Sequence, residues 1–302
     1  MELTPFQRRI AEKLPHIQLR FQEMLSKHTS FRIGGPAEVM AFPGNETELS
    51  DILSMSKELD IKPVILGAGT NVLAPDEGLC GLVVCLKDCM NGMEAEPDSC
   101  IRVMSGVTMS RAAVFAANQG LSGMEFAHGI PGTVGGGVYM NAGAYGGEIS
   151  QICKQVTVMN LQGDIRTLSK EEVGFGYRHS VLEESGEIVV SAVFALTPDS
   201  PEEVKARMKV LQMKRSASQP LDLPSAGSAF KRPAGGYAAA LIEQAGLKGF
   251  RIGNAAISDK HAGFAVNLGG ATAGEMKELL QTVSQRVFEA SGIRLEPEIR
   301  IW

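Results

Sequence analysis

Three polar positions in the second half of the chain carry residue types suited to proton and charge chemistry. They are Arg178 in Gly176-Tyr-Arg-His-Ser180, Ser228 in Ala226-Gly-Ser-Ala-Phe-Lys-Arg232, and Glu298 in Leu295-Glu-Pro-Glu-Ile-Arg-Ile301. A guanidinium is a fixed cation that stabilises developing negative charge through charge-assisted hydrogen bonds. A hydroxyl can protonate a strong base, and a carboxyl can act while protonated if a desolvated site raises its pKa. Each position also has a plainer reading. Arg178 alone reads as a surface residue and Ser228 as a turn residue. Glu296, Glu298 and Arg300 read as the solvated face of a strand whose other face is Leu295, Ile299 and Ile301. None of the three decides a function alone.

Such groups act only on a reactant that something else holds, and two glycine-rich stretches offer the means. Gly129-Ile-Pro-Gly-Thr-Val-Gly-Gly-Gly-Val-Tyr-Met-Asn-Ala-Gly-Ala-Tyr-Gly-Gly147 has eight Gly in nineteen residues and no formal charge. That density weakens a helix and argues against a membrane span. It also lets a flat, phosphate-bearing ligand lie directly against peptide N–H groups. The plainer reading is a tight loop with close backbone packing. Earlier, the buried-type strand Pro63-Val-Ile-Leu66 runs into Gly67-Ala-Gly-Thr-Asn71. In a strand–Gly-turn arrangement, turn N–H groups can converge on an anion.

Missing motifs narrow the field. There is no Gly-x-x-x-x-Gly-Lys-Ser/Thr, and neither glycine stretch has Gly-x-Gly-x-x-Gly spacing, which argues against a P-loop or Rossmann nucleotide site. The five His form no His-Glu-x-x-His, and no Gly-x-Ser-x-Gly elbow is present. Cys80, Cys85, Cys89, Cys100 and Cys153 make an odd set without paired Cys-x-x-Cys spacing, so free buried thiols in a reducing compartment are expected rather than zinc.

A chain of 302 residues is long enough for two or more domains. A net charge of -5 argues against a nucleic-acid partner. The N-terminus lacks a basic-then-apolar leader pattern, and no apolar run reaches membrane-spanning length.

The elements that must position these residues follow from patterning. Phe6, Ile10, Leu14 and Ile17 predict a helix over residues 2–25 with a kink at Pro15. Asn45-Glu-Thr-Glu48 caps a helix reaching about Leu59, and Thr108–Asn118 reads as a helix with Val114 and Phe115 inward. Leu82–Cys85, Cys100–Val103, Val156–Asn160 and Ile165–Leu168 read as strands, the last two joined in a hairpin, and Ile188–Leu196 as a strand buried on both faces. Ser200-Pro-Glu-Glu203 opens a helix to about Lys214 and Thr272 opens another to Ser291, with a helix over Gly236–Ala245 between them. Leu295–Trp302 reads as a terminal strand.

Taken together, six segments resemble the UDP-N-acetylenolpyruvoylglucosamine reductase family of flavoenzymes: His28–Pro36, Ile65–Leu73, Gly129–Gly147, Gly176–Ser180, Pro224–Pro233 and Leu295–Ile301. The resemblance implies an α+β chain with an FAD-binding fold of the vanillyl-alcohol oxidase/p-cresol methylhydroxylase type and a C-terminal α+β substrate domain. The expected division is residues 1–28 as a helical lead, 29–198 as an FAD-binding domain split near 88–100, and 199–302 as the substrate domain. It further implies FAD and NADPH as cofactors and enolpyruvyl-UDP-N-acetylglucosamine as substrate. NADPH would reduce FAD, flavin N5 would deliver hydride to the vinyl carbon, and Ser228 would give a proton to the adjacent carbon. Arg178 and Glu298 match the other two active-site residues.

By the same resemblance, Gly67, Ala68, Gly69, Thr70 and Asn71 form one wall of the flavin site. Gly129, Ile130, Pro131, Gly132, Thr133, Gly135, Gly136, Asn141, Gly143, Ala144, Tyr145 and Gly146 form the other, with Arg300 on the flavin. Arg215, Lys231 and Arg232 are candidates for the substrate's phosphates or carboxylate. Arg232 stands where one branch of the family carries Asn, and the chain is short; both imply the compact branch without an inserted Tyr-bearing substrate loop. A cytoplasmic monomer acting on small molecules is expected. Two other readings remain open: another FAD oxidoreductase of this fold, and a non-catalytic nucleotide-sugar-binding protein.

Overall fold

The computed structural model describes residues 2–302, with Met1 outside them. In chain order the first elements are α1 (Pro5–Lys13), β1 (Gln18–Met24), β2 (Pro36–Phe42), α2 (Glu46–Glu58), β3 (Val64–Leu66), β4 (Val72–Leu73), β5 (Leu79–Cys85), β6 (Met93–Glu96), β7 (Cys100–Met104), α3 (Met109–Asn118) and α4 (Val134–Tyr139).

The single helix expected over residues 2–25 is in fact a helix and a strand. A capping box of Thr4 and Gln7 with Pro5 in the first turn starts α1, and the apolar stripe ends at Leu14. From Gln18 the side chains alternate, with Leu19 and Phe21 half-buried and Gln18, Arg20 and Gln22 exposed. Period-two patterning makes this β1, at the edge of a sheet ordered β1-β2-β5-β3. The capped helix after Asn45 forms as expected, the Asn45 side chain accepting from the Glu48 N–H at 3.0 Å.

The residues group into two compact units. The first comprises residues up to Phe21, Glu38–Ala68 and Gly81–Lys214; the second comprises Gln22–Ala37, Gly69–Cys80 and Arg215–Trp302. A cut at 198/199 falls just before the helix Pro201–Ser218, most of which lies in the first unit. The second unit also recruits two segments from the first third of the sequence, which no composition shift marks.

In the first unit a second sheet is antiparallel throughout, ordered Ile165–Ser169, Cys153–Met159, Ile188–Ala195, β7, β6. The long apolar run forms its central strand. Ile188 and Val190 join the core built on α1, α2 and the first sheet, while Val189, Ala192 and Phe194 join the core under α3 and α4. Both faces are therefore covered, which accounts for the missing alternation. On α3 the inward face is Met109, Ala112, Ala113, Ala116 and Ala117; the expected inward Val114 is 39% exposed. Small side chains let this helix pack closely, and the larger Val114 turns outward.

The second unit carries a four-stranded sheet ordered Ser225–Ser228, Phe264–Asn267, Ala255–Ile257, Arg251–Ile252, packed with helices Ala238–Gln244 and Ala273–Ser291. The expected strand over Leu295–Trp302 shrinks to Arg300–Ile301, parallel to β4, and Ile301 is exposed rather than on a buried face. Pro297 has no N–H to sustain a ladder. Of the cysteines, Cys80 is exposed and Cys89 half-buried, contrary to a wholly buried set. Burial pushes the Cys85 thiol up to about 11 and that of Cys153 up to about 12. No helix of the described residues is long and apolar enough to cross a membrane.

One contact within the second unit ties an N-terminal segment to its long helix. The Asp76 carboxylate accepts from the N–H groups of Ala273 at 2.8 Å and Gly274 at 3.1 Å. Thr272 Oγ1 takes the Glu275 N–H and the Thr272 carbonyl takes that of Met276, so all four first-turn donors of this helix are satisfied. Asp76→Ala is expected to lower unfolding free energy by about 1–2 kcal/mol, since it removes both a cap and a favourable charge at the helix N-terminus. Urea denaturation measures it, and an unchanged midpoint would show that water replaces the carboxylate at no cost.

Candidate functional site

Gly227 has φ +79, and the register shifts between Ser225 and Ser228 where their strand pairs with Phe264–Asn267. Such a bulge re-aims the following side chain. Ser228 is left exposed opposite Phe264, with the next N–H, of Ala229, bound to the Gly263 carbonyl at 2.8 Å. The C-terminal segment runs antiparallel beside this strand. The Glu298 N–H donates to the Ala229 carbonyl at 3.0 Å, and the Lys231 N–H donates to the Glu296 carbonyl at 2.9 Å. Glu298 is half-buried, and its carbonyl accepts from Asn71 Nδ2 at 3.1 Å. The Arg300 N–H donates to the Asn71 carbonyl at 3.0 Å. Within the second unit, then, Ser228, Glu298, Arg300 and the end of the first glycine turn are stitched together; Arg178 belongs to the first unit.

The turn Gly67–Asn71 has the donors an anion needs. Among the described residues, nothing accepts the backbone N–H groups of Gly67, Ala68 or Gly69, although Gly69 is buried. Gly69 cannot be another residue: its φ is +59, and a Cβ would stand 2.2 Å from the His28 carbonyl oxygen. A Cβ on Gly67 would lie 2.6 Å from Thr133 Oγ1, so this turn meets the start of the second glycine stretch. A turn of unpaired N–H groups over close-packed backbone fits the pyrophosphate of FAD.

The second stretch is structured rather than looped. It contains α4, capped by Thr133, and a two-residue pairing of Gly143–Ala144 with Gly147–Glu148. Four of its eight glycines serve packing. A Cβ would stand 2.9 Å from Ser105 Cβ at Gly135, 2.8 Å from Met109 Sδ at Gly137, 2.7 Å from Glu148 Cβ at Gly143, and 2.5 Å from the Phe126 ring at Gly147. The N–H groups of Val134 and Gly135 go to the Val107 and Ser105 carbonyls. Open space remains at Gly136, whose Cβ would meet nothing nearer than Thr133 Oγ1 at 3.6 Å, and at Gly146, where nothing lies within 4 Å. Pro131 and Tyr145 are exposed, and Ile130, Gly132 and Ala144 half-buried. Close packing therefore explains Gly135 and Gly143 but not Gly136 or Gly146.

Arg178 sits in a tight turn in which Gly176 and His179 pair, with a left-handed φ of +54. Its Nη2 donates to the Gly143 carbonyl at 3.0 Å and its Nη1 to that of Asn141 at 3.5 Å. The ring of Tyr177 lies 5.2 Å from the guanidinium carbon. Asn141 is buried, and both ends of its amide are engaged: Nδ2 with the Gly176 carbonyl at 2.9 Å, Oδ1 with the Ser150 N–H at 2.9 Å. Its side chain is therefore turned to protein rather than to a ligand.

Among the expected substrate cations, Lys231 is ion-paired with the exposed Glu296, and Arg215 is buried near the end of its helix. The guanidinium of Arg232 lies 4.1 Å over the ring of Tyr237, which is 64% exposed. Tyr237 was not among the sequence candidates; the signal for it was an aromatic just past Gly235-Gly236, five residues from a cation.

Two family models and several known proteins match this chain. The family model described as "UDP-N-acetylenolpyruvoylglucosamine reductase, C-terminal domain" matches residues 219–302, and that of an "FAD binding domain" matches residues 37–169. The chain is 42% identical to the UDP-N-acetylenolpyruvoylglucosamine reductase of Agathobacter rectalis, over 98% of each chain. Its identity to the Streptococcus pneumoniae protein of the same name is also 42%, over 97% of each. The crystal structure of UDP-N-acetylenolpyruvylglucosamine reductase (MurB) from Thermus caldophilus superposes with a TM-score of 0.82 at 35% identity, covering 95% of this chain and 99% of that one.

The two kinds of glycine separate by experiment. Gly136→Ala is expected to leave the apoprotein as stable or about 0.5–1 kcal/mol more stable, because Ala favours the helix, while lowering bound flavin per protein. Gly135→Ala is expected to cost about 1–3 kcal/mol through overpacking against Ser105. The flavin-to-protein absorbance ratio and urea unfolding read the two effects; wild-type flavin content in Gly136→Ala removes that residue from the cradle.

Proposed function

The chain belongs to the UDP-N-acetylenolpyruvoylglucosamine reductase family, and from that premise we propose that it reduces the enolpyruvyl group of enolpyruvyl-UDP-N-acetylglucosamine to give UDP-N-acetylmuramate, a step of peptidoglycan precursor synthesis. FAD, when bound, takes reducing equivalents from NADPH and supplies them to the vinyl carbon of the substrate. The observation that carries the residue assignments is the junction of Ala229, Glu298 and Asn71, which sets the proton donor, the carboxyl and the first glycine turn on adjoining segments.

Reduction at the vinyl carbon leaves charge on the neighbouring carbon and its carboxylate. Arg178 is the cation for that charge, oriented by the Gly143 and Asn141 carbonyls. Glu298, half-buried, is the second side chain assigned to the same enolic species, which a carboxyl stabilises only in its protonated form. Ser228 Oγ hands its proton to the carbon next to the carboxylate. A neutral hydroxyl suffices, since the enolic dianion is a strong base.

The N–H groups of Gly67, Ala68 and Gly69 bind the cofactor's phosphates, with Thr70, Asn71, the open faces of Gly136 and Gly146, and Arg300 completing its site. Lys231 exchanges its exposed partner Glu296 for a substrate anion, with Arg232 and Arg215 as further contacts; such exposed ion pairs are weak enough to yield. We take residues 29–198 as the flavin-holding part and 199–302 as the substrate part, in a cytoplasmic monomer acting on small molecules.

Ser228→Ala tests the reading. Flavin content and the bleaching of the flavin by NADPH are expected to stay as in the parent, while reoxidation by the enolpyruvyl substrate slows about 10²–10⁴-fold, the usual loss for a general acid. Stopped-flow absorbance follows both half-reactions. Reoxidation at the parental rate would dismiss Ser228 as the donor, and a protein that cannot be loaded with FAD would dismiss the function.

A further inference from the structure

We propose that Asn141 is a positioning residue for Arg178, holding the guanidinium in register through its side-chain amide; this rests on the assignment of Arg178 as the active-site cation. Arg178 sits at φ +54, a conformation that non-glycine residues keep only where their surroundings over-determine it. The surroundings here are the segment that follows α4. Asn141 Nδ2 donates to the Gly176 carbonyl at 2.9 Å and so pins the first residue of the turn. Ser180 Oγ, fully buried, donates to the Tyr139 carbonyl at 2.7 Å and pins the far end. Between these two ties, the Arg178 guanidinium reaches back to the carbonyls of Gly143 and Asn141.

Asn is the residue type this position requires. Its own φ is +42, which Asn tolerates better than most side chains. Its amide must donate to Gly176 and accept from Ser150 at the same time, at 2.9 Å each. Asp has no donor and Leu has neither function. At 2% exposure the unmade bonds would not be replaced by water. The same residue thus contributes a backbone carbonyl to the guanidinium and a side chain to the turn that carries it. A shift of Asn141 moves both the Arg and its rest.

Asn141→Gly is the informative variant, because Gly accepts the left-handed backbone and only the side chain is lost. In FAD-loaded protein, flavin content and bleaching by NADPH are expected to be unchanged. Reoxidation by enolpyruvyl-UDP-N-acetylglucosamine falls about 10²-fold, the scale of a misplaced catalytic group, with the loss in kcat rather than in KM for NADPH. Asn141→Gly/Arg178→Ala is then no slower than Arg178→Ala alone. Calorimetry with the product UDP-N-acetylmuramate gives an independent readout: Asn141→Gly weakens binding only while Arg178 is present. Losses that multiply in the double variant, or a parental reoxidation rate in Asn141→Gly, overturn the proposal. If Arg178→Ala alone reoxidises at the parental rate, the assignment of Arg178 itself falls. Should Asn141→Gly not fold, Asn141→Asp keeps the acceptor for the Ser150 N–H and loses the donor to Gly176; the same reoxidation loss is expected, and a parental rate again overturns the proposal.

Discussion

The side chain and backbone of Asn71 hold the second unit's chemistry in place. Its side-chain N–H donates to the Glu298 carbonyl and its own carbonyl accepts the Arg300 N–H, so the C-terminal segment is fixed to the first glycine turn at two points. That segment is in turn laid along Ala229–Lys231 by backbone bonds on either side of Pro297. Both bonds to Asn71 use the main chain of Glu298 and Arg300.

The glycines divide along the same physical line. At Gly69, Gly135, Gly137, Gly143 and Gly147 a Cβ would collide with protein, so these residues permit backbone to approach backbone. At Gly136 and Gly146 of the second stretch the missing side chain leaves space. A composition of eight Gly in nineteen residues cannot tell which glycines serve packing and which leave open space, because close packing and ligand approach require the same residue.

Local signals in the sequence carried far. The Asn45 and Thr272 caps and the hairpin around Gly163 form as their residues dictate, since each is decided within a few positions. The long apolar run at Ile188–Ala195 was legible as a strand covered on both faces. Where tertiary packing decides, patterning misled. Residues 18–24 continue the apolar content of α1 but change its period, and Pro297 cuts a run that alternates on paper. Nor does anything local announce that 69–80 belong with 215–302: Asp76 finds its helix N-terminus almost two hundred residues away. The expectations for site residues came from resemblance. The hydrogen bonds of Asn141 and Ser180 and the stacking of Arg232 on Tyr237 were not legible, since an Asn in a glycine-rich stretch reads equally as ligand contact and as clamp.

The way the cations are held bears on what they bind. Lys231 is paired with the Glu296 carboxylate, and Arg207 with Glu125 and Asp199; a charge so paired presents a weakened field to an arriving anion. The carbonyls of Gly143 and Asn141 orient Arg178 without adding any counter-charge of their own. Carbonyl dipoles carry no formal charge, so these two fix the direction of the guanidinium without themselves neutralising it. Arg178 combines a left-handed backbone with a side chain that reaches the carbonyls of Gly143 and Asn141, on the glycine segment.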